Sequence, residues 1–244
     1  LITPFRRPSG GKPVGIALGV GHPAEWCSIG RAMLATGQTP DFIVVDGSEG
    51  GTGAAPIEFA DHVGMPLRDG LRLVHNSLVG AGLRERIKIG ASGKVISAFD
   101  IARCLALGAD WCNSARGFMF ALGCIQSRSC HTDHCPTGVA TQDPVRQRAI
   151  VVNDKAERVY YFHANTLHAL ADLVGSAGLQ KPGDITAHHL MMRNPKGQAC
   201  SLASCIDTLL PDQLLADGAG QGLPSPFAEF WPQSQAQHWG MPPS

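Results

Sequence analysis

The sequence predicts an α/β protein built on a parallel sheet. Three observations carry this. Four short apolar runs each end in small or polar residues, as buried parallel strands do. Helical patterns lie between or behind them. Glycines, acids and serines gather after the runs, at the strand ends where ligands bind in barrels and open sheets alike.

The first run is Pro13 to Val20, followed by a helical pattern over Pro23 to Thr36 with Ile29, Met33 and Leu34 on one face and Gly37 as C-cap. The second is Asp41 to Val45. An amphipathic stretch from Gly70 to Gly82 follows, with Leu71, Val74, Leu78 and Val79 as its stripe. The third is Ile87 to Ala91. Behind it Ser97 is placed to cap a helix running to Leu107, with Asp100 at the third helical position, and Gly108 ends it. The fourth is Ala109 to Asn113. A closed barrel needs eight such units and about 250 residues. After about Thr141 the chain reads differently, so it is either half a barrel or a small open sheet. The start at Leu1 fits a processed product as well as a fragment, and the strand count favours a fragment.

The 244 residues suffice for a substantial core. Lysine and arginine together number 20, as do aspartate and glutamate, which leaves no electrostatic footprint for nucleic acid or an anionic membrane. No apolar run reaches membrane-spanning length. The eight cysteines are scattered, without a signal peptide ahead of them, which speaks against a secreted disulfide framework. The expectation is a soluble cytoplasmic enzyme.

The strand ends hold candidate ligand loops. The second strand runs into Asp46-Gly-Ser-Glu-Gly-Gly-Thr-Gly-Ala-Ala-Pro56, whose glycines let backbone approach a ligand. It is neither a dinucleotide fingerprint nor a Walker loop. The third ends in Ala91-Ser92-Gly93-Lys94 and the fourth in Asn113-Ser114-Ala115-Arg116-Gly117-Phe118. Each alone is an ordinary turn before a helix. Two in succession point to a phosphate cradle, with Lys94 or Arg116 adding charge.

Cys124, Cys130 and Cys135 fall within twelve residues, and Pro136 follows. Soft thiolates this close suit an iron–sulfur cluster. Zinc with His131 or His134 as an added ligand, a disulfide with a spare thiol, or buried structural thiols are the alternatives, although the spacing is not that of paired structural zinc motifs.

From about Gly11 to Arg193 the chain resembles the FMN-binding domain of glutamate synthases, and above all the stand-alone glutamate-synthase-like flavoproteins. The resemblance rests on Gly50-Gly-Thr-Gly-Ala54, Leu122-Gly-Cys-Ile125, the Cys-x5-Cys-x4-Cys pattern and Cys135-Pro-Thr-Gly-Val-Ala-Thr-Gln-Asp-Pro144. It implies the C-terminal half of a (β/α)8 barrel over residues 1–193, with an iron–sulfur segment at 124–135 and an irregular extension over 194–244. By the same resemblance Cys124, Cys130 and Cys135 hold a 3Fe–4S cluster. FMN lies on Ser92, Gly93, Lys94, Ala115, Arg116 and Gly117, and the loop with Gly50, Gly51, Thr52 and Gly53 approaches the flavin and the oxo acid. The implied chemistry is reductive amination of 2-oxoglutarate with ammonia, electrons passing from cluster to FMN. A ferredoxin or reductase subunit would donate them, and the remaining half-barrel or other subunits would complete the site.

One departure stands out. Many relatives place a lysine near Ala17 to stabilise reduced flavin, which alanine cannot do, and Lys12 lies at the far end of that strand. An N-methylglutamate synthase subunit is an alternative reading, as is a non-catalytic cluster-bearing electron-transfer or assembly subunit. A zinc-stabilised binding domain is a third.

The other candidates have bland readings. His22, His62, His75 and His163 read as helix-surface or boundary residues, and His188-His189 as a surface turn. His131 and His134 can tune a cluster by hydrogen bonding. Cys104 and Cys112 read as core, and Cys27, Cys200 and Cys205 show no pairing pattern. Asp46 and Glu49 are possible acid–base groups beside a flavin. Arg146 and Arg148 read as a solvated helix face. Phe227-Ala-Glu-Phe-Trp231 is an aromatic cluster able to dock on the barrel or on a neighbour.

Overall fold

A computed structural model describes residues 2–50, 55–56, 58–194, 196–216 and 222–238. In chain order the elements are α1 (Thr3–Arg6), β1 (Gly15–Leu18), α2 (Pro23–Thr36), β2 (Phe42–Asp46), α3 (Leu67–Gly80), β3 (Lys88–Ser92), α4 (Ala98–Ala106), β4 (Trp111–Asn113) and α5 (Arg116–Leu122). After the cysteine segment come α6 (Pro144–Gln147), α7 (Val152–Ser176), the hairpin strands β5 (Met191–Arg193) and β6 (Ala199–Ser201), and α8 (Phe227–Phe230).

β1 to β4 form one parallel sheet in the order β1-β2-β3-β4. The α/β reading thus holds: β1 and β4 are shorter than the predicted strands, and β2 and β3 have the predicted length but begin one residue later. Side chains alternate between faces along a strand. Ile43, Val45, Ile89 and Ala91 are buried on the helix side. They join Leu71, Val74 and Leu78 of α3 and Trp26 and Cys27 of α2 in the main core. The other face carries Ala17, Val44, Gly90 and Trp111 in one row, and Asp46, Ser92 and Asn113 in the next. Here Ala17 and Asn113 are exposed, and Val44 and Trp111 half-buried. Helices therefore cover one face of the sheet.

Local signals explain the helix starts. Ser97 caps α4 by accepting a hydrogen bond from the Asp100 N–H (3.2 Å), while Asp100 accepts one from the Ser97 N–H (3.0 Å). His22, read as a surface or boundary residue, is the N-cap of α2, accepting from the Ala24 N–H at 3.2 Å. The α2 stripe lies slightly off its expected place. Met33 is fully buried but Ile29 and Leu34 only partly, because Trp26, Cys27 and Gly30 face the core and the returning tail. α3 begins at Leu67, three residues before Gly70.

Two features went unseen in the sequence. α7 runs 25 residues but buries only Leu170 and Val174, so it leaves no broad apolar stripe. Those two pack with Ala98, Ala102, Ala106 and Ile185 in a second, smaller core. Cys200 and Cys205, for which the sequence shows no pairing pattern, form a disulfide that ties β6 to the turn that follows it.

The tail docks as the aromatic cluster suggests. Trp231 is fully buried, donates from Nε1 to the Leu214 carbonyl at 3.0 Å, and lies under the Arg31 guanidinium at 4.3 Å. No helix among the described residues is long and apolar enough to cross a membrane.

Candidate functional site

A cavity of about 720 Å3 opens at the C-terminal ends of β2, β3 and β4. That is the size range of small-molecule sites. Asp46, Ser92 and Asn113 enter it from the strand ends, with Gly50, Gly93, Lys94, Ala115 and Arg116 from the loops. Cys130, Asp133 and the 139–142 segment close the far side. The parallel register places this wall, since Asp46 pairs with Ser92 and Ser92 with Asn113.

Close backbone packing shapes the loops. Gly93 has φ +146°, a value L side chains rarely adopt, and a Cβ there would meet the Gly47 nitrogen at 3.2 Å. The Gly47 N–H donates to the Ser92 carbonyl at 2.8 Å, joining the β2 and β3 turns. Glu49 lines a smaller adjoining cavity and is held by the start of α3, both carboxylate oxygens accepting from the Leu67 N–H at 3.1 and 2.9 Å. Asp46 is different: its Oδ1 is buried and has no hydrogen-bond partner among the described residues. A buried acceptor left so is costly unless a ligand or water meets it.

The cations are held unequally. Lys94 reaches the Asp61 carboxylate at 2.9 Å, and that bond keeps the Asp61 carboxyl below its usual range. Both side chains are over a third exposed (40% and 46%), so the pair is weak enough to exchange for an anion. Arg116 is half-buried and lines this cavity and a smaller one of about 150 Å3 beside it. Gly117 sits apart. It is buried in the first turn of α5, where a Cβ would meet the Phe162 ring at 2.5 Å. Gly51, Thr52 and Gly53 lie outside the described residues.

The smaller cavity joins the cysteine segment to these loops, lined by Cys124, Cys130, Lys94, Arg116, Gln126 and Arg128 among others. The segment is tightly wound: Gln126, Arg128 and Asp133 all have left-handed backbone, with φ of 55°, 56° and 64°. Asp133 anchors the following stretch, accepting at its carboxylate from the Gln142 N–H (2.6 Å) and at its carbonyl from the Thr141 hydroxyl (2.5 Å).

Cys124, Cys130 and Cys135 are all free thiols. Burial of Cys135 raises its pKa, but the Thr137 hydroxyl and the N–H groups of Ala140, Thr137 and Val139 outweigh burial and bring it from 9.0 down to about 7. Donors converging on sulfur favour the thiolate, the form that binds metal. By donor chemistry the three thiols suit a cluster. By position, among the described residues no three His, Cys, Asp or Glu side chains stand together as ligands for a metal ion.

His62, read as a helix-surface or boundary residue, lines the smaller cavity, whereas His163, His75, Cys104 and Cys112 lie outside this site. His163 is exposed and its ring lies 5.9 Å from that of Phe118. His75 is half-buried against Arg84 at the other end of the sheet. Cys104 is buried and Cys112 partly so, as core residues. Sequence reasoning missed Asp61, Thr137 and the Asp133–Gln142 clasp. Thr137 was within reach, because it belongs to the Cys135–Pro144 stretch that already stood out.

Residues 1–180 match the family described as the conserved region in glutamate synthase. A glutamate synthase large subunit-like protein, YerD, of Bacillus subtilis is 44% identical over 200 residues, covering 82% of this chain and 38% of the relative. An archaeal NADPH glutamate synthase of Methanocaldococcus jannaschii is 37% identical over 168 residues, covering 69% and 32%. A ferredoxin-dependent glutamate synthase of Arabidopsis thaliana is 35% identical over 156 residues, covering 60% and 10%. The chain thus spans well under half the length of these relatives. With the conserved region matched over most of its length, the chain belongs to the glutamate synthase family of oxidoreductases.

Proposed function

We propose that this chain supplies the FMN- and cluster-binding part of a glutamate synthase-like oxidoreductase that aminates 2-oxoglutarate reductively. The observation that carries the reading is the continuity of two sites. The anion-binding turns and the three-cysteine segment share Lys94, Arg116 and Cys130 across adjoining cavities. A redox enzyme needs its electron-entry group beside the group that reduces substrate.

The residues suit FMN. The close-packed glycine turn at Gly93, the half-buried Arg116 and the exchangeable Lys94 are a cradle for a phosphate. The orphaned Asp46 Oδ1 offers an acceptor for a ring N–H. When bound, FMN supplies hydride chemistry and the cluster single electrons. The chain's own contribution is to hold both and to exclude water. Arg116 and Lys94 neutralise the phosphate, Asp46 orients the ring, and Cys124, Cys130 and Cys135 supply thiolates, with Thr137 holding the last one deprotonated.

The face with Ala17, Val44 and Trp111, which no helix among the described residues covers, supports a half-barrel completed by another segment or chain. In that reading 1–193 is the half-barrel and 194–244 an extension packed back on it. The oxo acid, the amine and a ferredoxin or reductase donor belong to the same proposal. Ala17, exposed where a cation would serve reduced flavin, favours a second reading: a cluster-bearing subunit without turnover.

Comparing FMN with riboflavin on the assembled protein tests the cradle. FMN should bind about tenfold tighter or more, a difference of about 1.4 kcal/mol, and Arg116→Gln should remove most of it. Equal affinity for both flavins overturns the phosphate assignment.

A further inference from the structure

We propose that Asp61 is a built-in competitor for the anion, holding Lys94 at the smaller cavity until a phosphate in the larger one takes it. The inference rests on the FMN reading and adds to it a residue that sets how tightly the phosphate is held. Lys94 lines both cavities, whereas Asp61 lines only the smaller one. Their ion pair at 2.9 Å therefore occupies the ammonium on the side of the smaller cavity. A lysine head on a flexible four-carbon stem is free to exchange one partner for another.

Asp61 is fastened where it can do this. Its backbone is left-handed, with φ 69°, and its N–H donates to the Ser48 carbonyl at 2.9 Å. The neighbouring Gly47 N–H donates to the Ser92 carbonyl, so Asp61 is tied to the pair of turns that flank the cradle. Lys94 too is left-handed, at φ 47°. With both backbones so constrained, exchange is left to the side chains.

The pair is set to give way to a phosphate. Both side chains are well exposed to water, which makes the ion pair weak. A phosphate brings more charge and more acceptor oxygens than one carboxylate. Arg116 stands at the same turns to share it. The displaced carboxylate is not stranded: Lys94 does most to hold it ionised, but Arg128, which lines the same smaller cavity, also attracts it. Removing the Asp61 charge should therefore free Lys94 for the phosphate and leave binding of the flavin ring untouched.

FMN and riboflavin, titrated on the assembled protein with and without Asp61→Asn, test this. Asparagine tolerates left-handed backbone as aspartate does, so the variant changes the charge and little else. The preference for FMN over riboflavin should rise about three- to fivefold, while riboflavin affinity stays the same. In a Lys94→Gln background the same substitution should change the preference less than about twofold, because Asp61 acts through Lys94. A preference unchanged or lowered by Asp61→Asn overturns the proposal. So does an equal gain in both backgrounds, which is the mark of repulsion at a distance. Equal affinity of the unmutated protein for both flavins overturns the FMN reading and this proposal together, whereas the other two results leave that reading standing.

Discussion

Gly50 packs directly on Gly93: a Cβ on Gly50 would lie 2.8 Å from the Gly93 Cα. This contact presses the loop after β2 onto the turn after β3 and so narrows the mouth of the larger cavity. Neither partner tolerates a side chain, one for space and the other also for its φ of +146°.

Gly93→Ala should therefore lower stability by about 1–3 kcal/mol, the cost of forcing an L residue into a glycine-only conformation. In a chain of this size that is a fall of several degrees in Tm. Thermal unfolding checks it, and flavin affinity should fall in parallel because the turn must shift.

The Cys135 thiol should titrate near pH 7, well below its ordinary 9.0. Burial opposes this, and the hydrogen bonds from Thr137, Ala140 and Val139 overcome it. Its folded pKa is depressed, so the stability it contributes is fully present above the unfolded value and is lost as pH falls through about 7. Thiolate absorbance of the cluster-free protein minus that of its Cys135→Ser variant should show the midpoint, and Thr137→Val should move it upward.

His75 gives an acid-sensitive contact away from the site. Burial and the neighbouring Arg84 lower its pKa from 6.5 to about 4, against the pull of Asp110. The unfolded chain binds the proton first, so stability is intact above about 6.5 and is lost progressively down to pH 4. The shift corresponds to about 3 kcal/mol. Denaturant unfolding at pH 7 and pH 4 measures it, and His75→Gln should flatten this part of the profile.

Much of the fold was legible because its elements carry local signals. The Ser97–Asp100 capping box and the Gly37 C-cap fix helix ends within the sequence itself, and the runs around Ile43 and Ile89 are apolar enough to read as buried strands. α7 was illegible because its covered face is not uniformly apolar: Lys155 and Thr166 share it with Val159, Phe162, Leu170 and Val174, while Val152, Tyr160, Tyr161 and Leu167 lie exposed on the other sides. At the site, the glycine turns and the cysteines were visible as residue types. The Lys94–Asp61 pair and the donors around Cys135 were not, since they depend on loops whose path no local pattern dictates.

Tail docking makes a further prediction. Trp231 is fully buried over α2 and bonded to Leu214 and Arg31. Trp231→Ala should cost about 3–5 kcal/mol, measured by denaturant unfolding. A loss under 1 kcal/mol would mean the tail is only loosely attached.

The most direct test of the central claim is anaerobic purification of the assembled protein, followed by iron, sulfide and flavin analysis with EPR of the oxidised state. Iron and sulfide in the ratio of a 3Fe–4S cluster, together with FMN, are expected, and Cys130→Ser should abolish the cluster signal. Iron content unchanged by Cys130→Ser, or the absence of iron, sulfide and flavin from the native protein, would contradict the account.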